Sequence, residues 1–301
     1  MPSQSRVRIP LRESLGHAMI RFIAAAATAA LLLALPAHAS PDCPEHFLAG
    51  KDPVPLQDSV LRESRALCYG GFALLHSGLA RTSLWVAERL TAERVSAARQ
   101  VERVNSFHPE PRLPTNERAE LSDYARSGYD RGHLAPSGDM PDASTQAESF
   151  SLANIIPQDA DLNRGLWAGI EMAVRDLARL HGEIYVVTGP IYGGTSLRAL
   201  KGRVLVPTSV YKAVYIPATR SAGAYVAPNG PGSSFRVVSI NDLASLIRFD
   251  VFPTLPADIK ARPARLPKPA RIQGPARETA RGGHWSGLTV DLLKSAIRLL
   301  P

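Results

Sequence analysis

Three side chains with complementary chemistry fall within four residues. Asp130, Arg131 and His133 stand in GYDRGHLAPSGDM (128–140), separated by Gly132 and followed by a loop rich in Pro and Gly. An imidazole with an ordinary pKa near ~6.5 is neutral over much of the physiological range and can take a proton from water. A guanidinium two residues earlier offers a planar fork for phosphate oxygens. A base beside an anion clamp suits phosphodiester hydrolysis. Gly132 reads as a tight turn that holds His133 at a loop edge.

A second cluster lies in NIIPQDADLNRGLWAGIE (154–171), which contains Asn154, Asn163 and Glu171. On the predicted helix, Asn163 and Glu171 are separated by about 12 Å of rise and roughly 80° of rotation. Both can face one side, yet they are too far apart to ligate one ion in the same way. Helical side chains lean toward the N-terminus, so Glu171 leans toward Asn163. A neutral amide oxygen suits a Mg²⁺ that keeps most of its waters, and a carboxylate set back from the ion can hold those waters. Taken alone, the cluster reads equally as a capping Asn and a Glu on a solvated helix face.

The two clusters together resemble the DNA/RNA non-specific endonucleases, which include the secreted Serratia-type nucleases and mitochondrial endonuclease G. The shared residues are Asp130, Arg131, Gly132 and His133, then Asn154, Pro157, Gln158, Leu162, Asn163, Trp167 and Glu171. The likeness runs from about residue 68, through VVTGP at 186–190, to INDL at 240–243 and VFPTLP at 251–256. It implies an α+β fold with a central antiparallel sheet flanked by helices and a ββα-metal active site. The implied activity is Mg²⁺-dependent, sugar-non-specific cleavage of DNA and RNA to 5′-phosphate products, with Mn²⁺ an alternative ion.

The resemblance also implies roles. His133 is the general base, and Asn163 the direct protein ligand to the hydrated cation. Glu171 orients the ion's water shell, and Arg131 stabilises charge near the phosphate. Asn154 supports the histidine site. The family's upstream arginine maps to Arg103 in RVNSF, with Arg112 as the other candidate. Two other readings keep the basic surface: a non-catalytic exported nucleic-acid binder, and a hydrolase of another phosphodiester.

Several elements must position these groups. GFALLHS and TSLWVAERL (71–77 and 82–90) predict a hairpin, and 95–127 a long polar loop with one short helix. From Asp161, its expected N-cap, the spacing of Leu162, Leu166, Ile170, Val174, Leu177 and Leu180 predicts a helix that stops at Gly182. EIYVVTGPIY, RVLVPTSVYKAVYIP and AGAYVAPN predict strands, and VSINDLASLIRF a short helix starting near Asn241 or Asp242. Trp85 and Trp167 read as core, and Lys212 as a strand residue.

The ends differ from this body. FIAAAATAALLLALP after Arg21, closed by AHA at Ala39, has the form of an export signal over 1–39, with translation starting at Met1 or Met19. The domain expected at 40–258 then enters an oxidising compartment, periplasmic or extracellular, where Cys43 and Cys68 pair. Residues 259–301 form a basic, Pro-rich tail, and 285–300 have the spacing of a short amphipathic helix. Net charge is +8, of which the leader holds +3. A basic surface attracts polyanions, so DNA and RNA are the expected partners, and no stable membrane association is expected once the signal is removed. The oligomeric state stays open, a homodimer included.

Overall fold

A computed structural model describes residues 43–232 and 234–270. The export signal expected over 1–39 and the C-terminal helix expected over 285–300 lie outside these residues. In chain order the main strands are β1 (Ser64–Cys68), β2 (Ala73–Ser77), β3 (Thr82–Thr91), β4 (Asp130–His133), β5 (Ile155–Gln158), β6 (Glu183–Ile191), β7 (Ser209–Ile216), β8 (Ser221–Pro228) and β9 (Arg236–Val238). Seven of them make one sheet in the order β9-β8-β7-β6-β3-β2-β1, and every neighbouring pair is antiparallel. Strands β4 and β5 pair with each other as a separate ribbon.

Helices are α1 (Ala92–Ala98), α2 (Leu121–Tyr124), α3 (Ala143–Ser149), α4 (Ala168–His181), α5 (Ile240–Ile247) and α6 (Ala257–Ala261). The sheet is covered on both faces, which is why its strands read as almost unbroken apolar runs. Successive side chains of a strand point to opposite faces. In β7, Val210 and Val214 accordingly enter the core under α4, while Tyr211, Ala213 and Tyr215 enter the core under α5 and α6. Trp85 and Trp167 are fully buried, one in each core.

Helix α4 buries Ile170, Val174 and Leu177, each worth about 1.5–3 kcal/mol when fully removed from water. The helix ends at Gly182, whose φ of +82° favours a residue without a Cβ. Leu180 departs from the expected stripe. It lies about 120° around the helix from Val174 and is 75% exposed. The start also differs. Asp161 caps nothing with its side chain; Asp159 Oδ1 accepts from the amides of Asp161 and Leu162 at 2.9 and 3.2 Å. Between this cap and α4, Leu162–Trp167 is wound as a π-helix. Its i→i+5 bonding is wider than an α-turn, so the spacing of Asn163 and Glu171 is not that of one straight α-helix. Ser239 caps α5, one residue before it begins.

A disulfide joins Cys43 to Cys68 and ties the N-terminal segment to the end of β1. The start of the basic, Pro-rich tail is packed against the domain. Ile259 of α6 is buried, Ala264 N donates to Ala222 O at 2.8 Å, and Tyr225 Oη donates to Pro267 O at 2.7 Å. Leu266 packs against the core beneath α4. The chain from 259 to 270 is therefore a strap across β8. Its prolines favour an extended run, and Leu266 supplies the apolar anchor that composition alone concealed.

Candidate active site

The DRGH tetrad is strand β4, not a turn. Gly132 pairs with Ile156, and Asp130 with Gln158. Glycine is needed at 132 for clearance: a Cβ there would come within 2.6 Å of Gln158 Cβ and 2.9 Å of its Cδ, and closer still to Oε1. The Gln158 side chain, fully buried, fills the space that a side chain at 132 would claim.

His133 follows one residue later and is 8% exposed. Its ring sits between Phe107, 5.4 Å away, and Phe150, edge-on at 4.9 Å. Nε2 is buried without a hydrogen-bond partner. Burial pushes the His133 pKa down to about 3, with the charges of Arg103 and Arg131 adding to the effect. The imidazole is therefore neutral at physiological pH. A phosphate anion placed beside the two guanidiniums would oppose their effect and make the ring more basic.

Arg131 is exposed, with its guanidinium 4.1 Å from the Phe107 ring centre. Arg103 is exposed as well, stands 5.4 Å over Phe150, and donates from Nε to Asn105 Oδ1 at 3.0 Å. Arg112, the other upstream candidate, is committed elsewhere. It pairs with Glu110 at 2.6 Å, donates to Cys68 O at 2.8 Å and covers the Tyr69 ring. Burial pushes the Glu110 carboxyl up, but hydrogen bonds from Arg112, Tyr69 and Ser151 outweigh that and hold it at about 2. Of the two arginines, Arg103 is the one beside His133.

Asn154 is fully buried and acts on the backbone. Its Oδ1 accepts from Ala135 N at 2.9 Å, and its Nδ2 donates to Ala135 O and Ser149 O, both at 2.8 Å. It clamps the chain two residues after His133 and next to Phe150, and so fixes the imidazole's surroundings.

Asn163 lies on the π-helical turn and donates from Nδ2 to Asp130 Oδ2 at 2.9 Å. That bond fixes the amide, so its oxygen faces away from Asp130. Arg164 also grips Asp130, donating from Nε to Oδ2 at 2.8 Å and from Nη2 to Oδ1 at 2.6 Å. The roles of Asp130 and Arg164 as holders of Asn163 escaped the sequence reading. Their signal was present, since an Asp in the tetrad and an Arg after the Asn are complementary charges, but only the ribbon's register brings them together.

Glu171 is mostly buried, with a 16% exposed side chain, 3.6 Å from Arg175. Burial pushes its carboxyl up and Arg175 offsets part of that shift. Arg175 also donates from Nε to the buried Asp139. Below lie Glu88 and Lys212, both 1% exposed and 3.9 Å apart. Lys212 donates to Thr188 Oγ1 at 2.6 Å and Leu134 O at 3.3 Å. It is the strand residue expected from sequence, with its charge used internally.

Asp130, Arg131 and Asn163 meet on the wall of one open cavity of about 460 Å³, together with Phe107 and Arg164. His133 and Glu171 are not part of that wall. The His133 ring is 5.4 Å from that of Phe107, and Glu171 faces Arg175; the charge of Arg103 acts on both. Among the described residues no three His, Cys, Asp or Glu side chains form a cage for a metal ion. A single amide oxygen, oriented by the bond from Asn163 Nδ2 to Asp130, fits a hard cation that keeps most of its water, as Mg²⁺ does, better than it fits Zn²⁺.

A two-stranded ribbon followed by a helix, set against a large antiparallel sheet, defines the architecture of a ββα-metal nuclease. Residues 57–258 match the DNA/RNA non-specific endonucleases, and the chain belongs to this family of nucleic-acid hydrolases. It is 33% identical over 235 residues to the mitochondrial nuclease EXOG of Xenopus laevis, covering 71% of this chain and 65% of that protein. It is 31% identical to a nuclease of the cyanobacterium Nostoc, covering 73% and 85% respectively. A crystal structure of the EndoG/EndoGI complex superposes with a TM-score of 0.58 at 24% identity, covering 67% of this chain and 93% of that one, a likeness of fold.

Proposed function

We propose that this protein is an exported, Mg²⁺-dependent endonuclease that hydrolyses both DNA and RNA and leaves 5′-phosphate ends. The observation that carries the proposal is a neutral imidazole, His133, held between two aromatic rings beside two arginines, while Asn163 is pinned by Asp130. His133 takes a proton from the attacking water. Arg131 and Arg103 hold the phosphate and neutralise the charge that develops on its oxygens. Asn163, with Glu171 behind it, would hold the cation, which when bound supplies Lewis-acid stabilisation of the leaving oxygen. Contacts made mainly to phosphates carry no base information, in keeping with low sequence specificity. An exported location accords with the disulfide and with the leader-like N-terminal sequence.

The test pairs two variants with supercoiled plasmid and total RNA as substrates. His133→Ala is expected to lose at least ~100-fold in rate, the lower end of what a positioned base contributes, with an unchanged circular dichroism spectrum. Asn163→Ala is expected to lower the rate and to move the Mg²⁺ titration to higher concentration. Undiminished cutting by the first variant, or a parental titration by the second, would remove the corresponding assignment.

A further inference from the structure

We infer that the cavity beside Asn163 is a nucleobase pocket: it seats one unpaired base of the strand being cut, next to the scissile phosphate. The inference rests on the nuclease reading and extends it to substrate form.

The cavity of about 460 Å³ is far larger than a cation with its waters requires. Its lining combines the phosphate and cation machinery of Asp130, Arg131 and Asn163 with a wall of Leu121, Tyr124 and Tyr129. The apolar wall is open. Leu121 is 42% exposed and Tyr129 is partly exposed. Tyr124 is buried, and its hydroxyl donates to Ile155 O at 3.4 Å. Phe107 completes the lining on the His133 side, with Arg131 over its ring.

The charge distribution fits a nucleotide. Asp130 alone would repel a phosphate, but Arg164 grips both its oxygens. Arg131 forms no ion pair with any described residue, so its guanidinium is available to an anion at the cavity rim. Arg198 stands 5.6 Å over the Tyr129 ring and adds a second cation nearby. An anion at Arg131 and Asn163, joined to a flat apolar group against Leu121 and Tyr129, is the outline of one nucleotide with its base out of the helical stack. Stacking on aromatic side chains is indifferent to sequence, because every base has a π-face. It is also indifferent to the sugar, so it serves RNA and DNA alike. A paired base cannot enter without leaving its duplex, a cost of a few kcal/mol. The expected preference is for single-stranded or frayed nucleic acid.

The experiment compares a 12-nucleotide single strand with one of equal length and charge in which all bases are replaced by abasic tetrahydrofuran residues. The parent is expected to show about a tenfold higher KM for the abasic strand. Leu121→Trp fills the mouth, and Tyr129→Ala removes a wall; each is expected to raise KM for the normal strand toward the abasic value and to leave abasic cleavage as in the parent. In parallel, in EDTA and at low salt, the fluorescence of a 2-aminopurine-containing strand is expected to be quenched by the parent and less so by both variants. Equal cleavage of normal and abasic strands by the parent would overturn the pocket, as would variants that slow both substrates alike or leave the quenching unchanged. If the parent cuts neither strand with Mg²⁺ present, the nuclease reading itself fails, and the quenching result still reports on base binding.

Discussion

Gly132 offers a sharp test of how the ribbon positions the site. In Gly132→Ala the new Cβ would lie 2.6 Å from Gln158 Cβ and 2.9 Å from Gln158 Cδ, with Oε1 nearer still. Real Cβ atoms do not tolerate such approaches, so β4 and β5 must separate or Gln158 must leave its fully buried site. Overpacking of this kind costs about 1–3 kcal/mol. At about 2–4 °C per kcal/mol for a domain of this size, a fall in Tm of several degrees is expected. The effect on rate should be larger than the effect on stability. Arg131 and His133 flank the substituted residue, and a misplacement of about 1 Å in a catalytic geometry costs about 100-fold.

The compensating change separates clearance from flexibility. Gln158→Ala removes Oε1 and Cδ but leaves the Cβ at 2.6 Å. It should restore only part of the lost rate. Gln158→Gly removes every clashing atom, at about 0.5–1 kcal/mol for the added strand glycine, and should restore most of it. Plasmid cleavage at saturating Mg²⁺, with Tm by circular dichroism, reads both effects. If Gly132→Ala alone keeps the parental rate and Tm, the steric account of the tetrad is wrong. If neither Gln158 variant rescues it, glycine serves some other purpose there.

Two further predictions concern the scaffold. Replacing both Cys43 and Cys68 by Ser should cost about 3 kcal/mol in the chain-entropy account and lower Tm by ~10 °C, yet spare the rate at 25 °C. The bond lies on the sheet face opposite α4, so a lost rate at full folding would contradict that separation. Burial holds the pKa of His76 down to about 4, whereas the unfolded chain binds its proton near 6.5. The stability this residue contributes is complete above about pH 6.5 and is lost as pH falls toward 4, roughly 3 kcal/mol in all. Urea midpoints of the parent and His76→Gln should therefore converge or cross over that range; a constant difference would refute the assignment.

The main sheet was legible because its strands are buried on both faces, and continuous apolar runs such as EIYVVTGPIY and SVYKAVYI carry that signal without ambiguity. The residues of the candidate site could be picked out from residue types and order. Its geometry could not. The tetrad's glycine looks like a turn in sequence, because clearance against Gln158 is set by a strand 25 residues downstream. The π-helical turn that carries Asn163 places Leu162, Leu166 and Trp167 in one core, and no local propensity marks it. Arg103 and Arg112 have identical side chains in the same loop; only the path of that loop lays one beside His133 and the other over Tyr69. The strap at 259–270 was hidden by composition, since three prolines and four cations mask a single anchoring leucine.

The buried charges beneath α4 fit a positioning role better than a stabilising one. Glu88, Asp139 and Glu171 face Arg94, Arg175 and Lys212 across a region where Glu88, Asp139 and Lys212 are at most 2% exposed. Burial and the Asp139 charge push the Glu88 carboxyl up, and the surrounding cations pull it back only in part. Glu88's oxygens make no hydrogen bonds, and removing such charges from water costs several kcal/mol that a pair at 3.9 Å with no hydrogen bond does not recover. Replacing buried ionic groups by apolar side chains of the same volume is often neutral or stabilising. What apolar packing cannot supply is direction. Arg175 is anchored by Asp139 and reaches Glu171, while Lys212 is anchored by Thr188 and holds the carbonyl of Leu134, the residue after His133. The same cluster thus fixes the flank of the helix bearing Glu171 and the chain next to His133, adding to the hold that Asn163 and Arg164 have on Asp130.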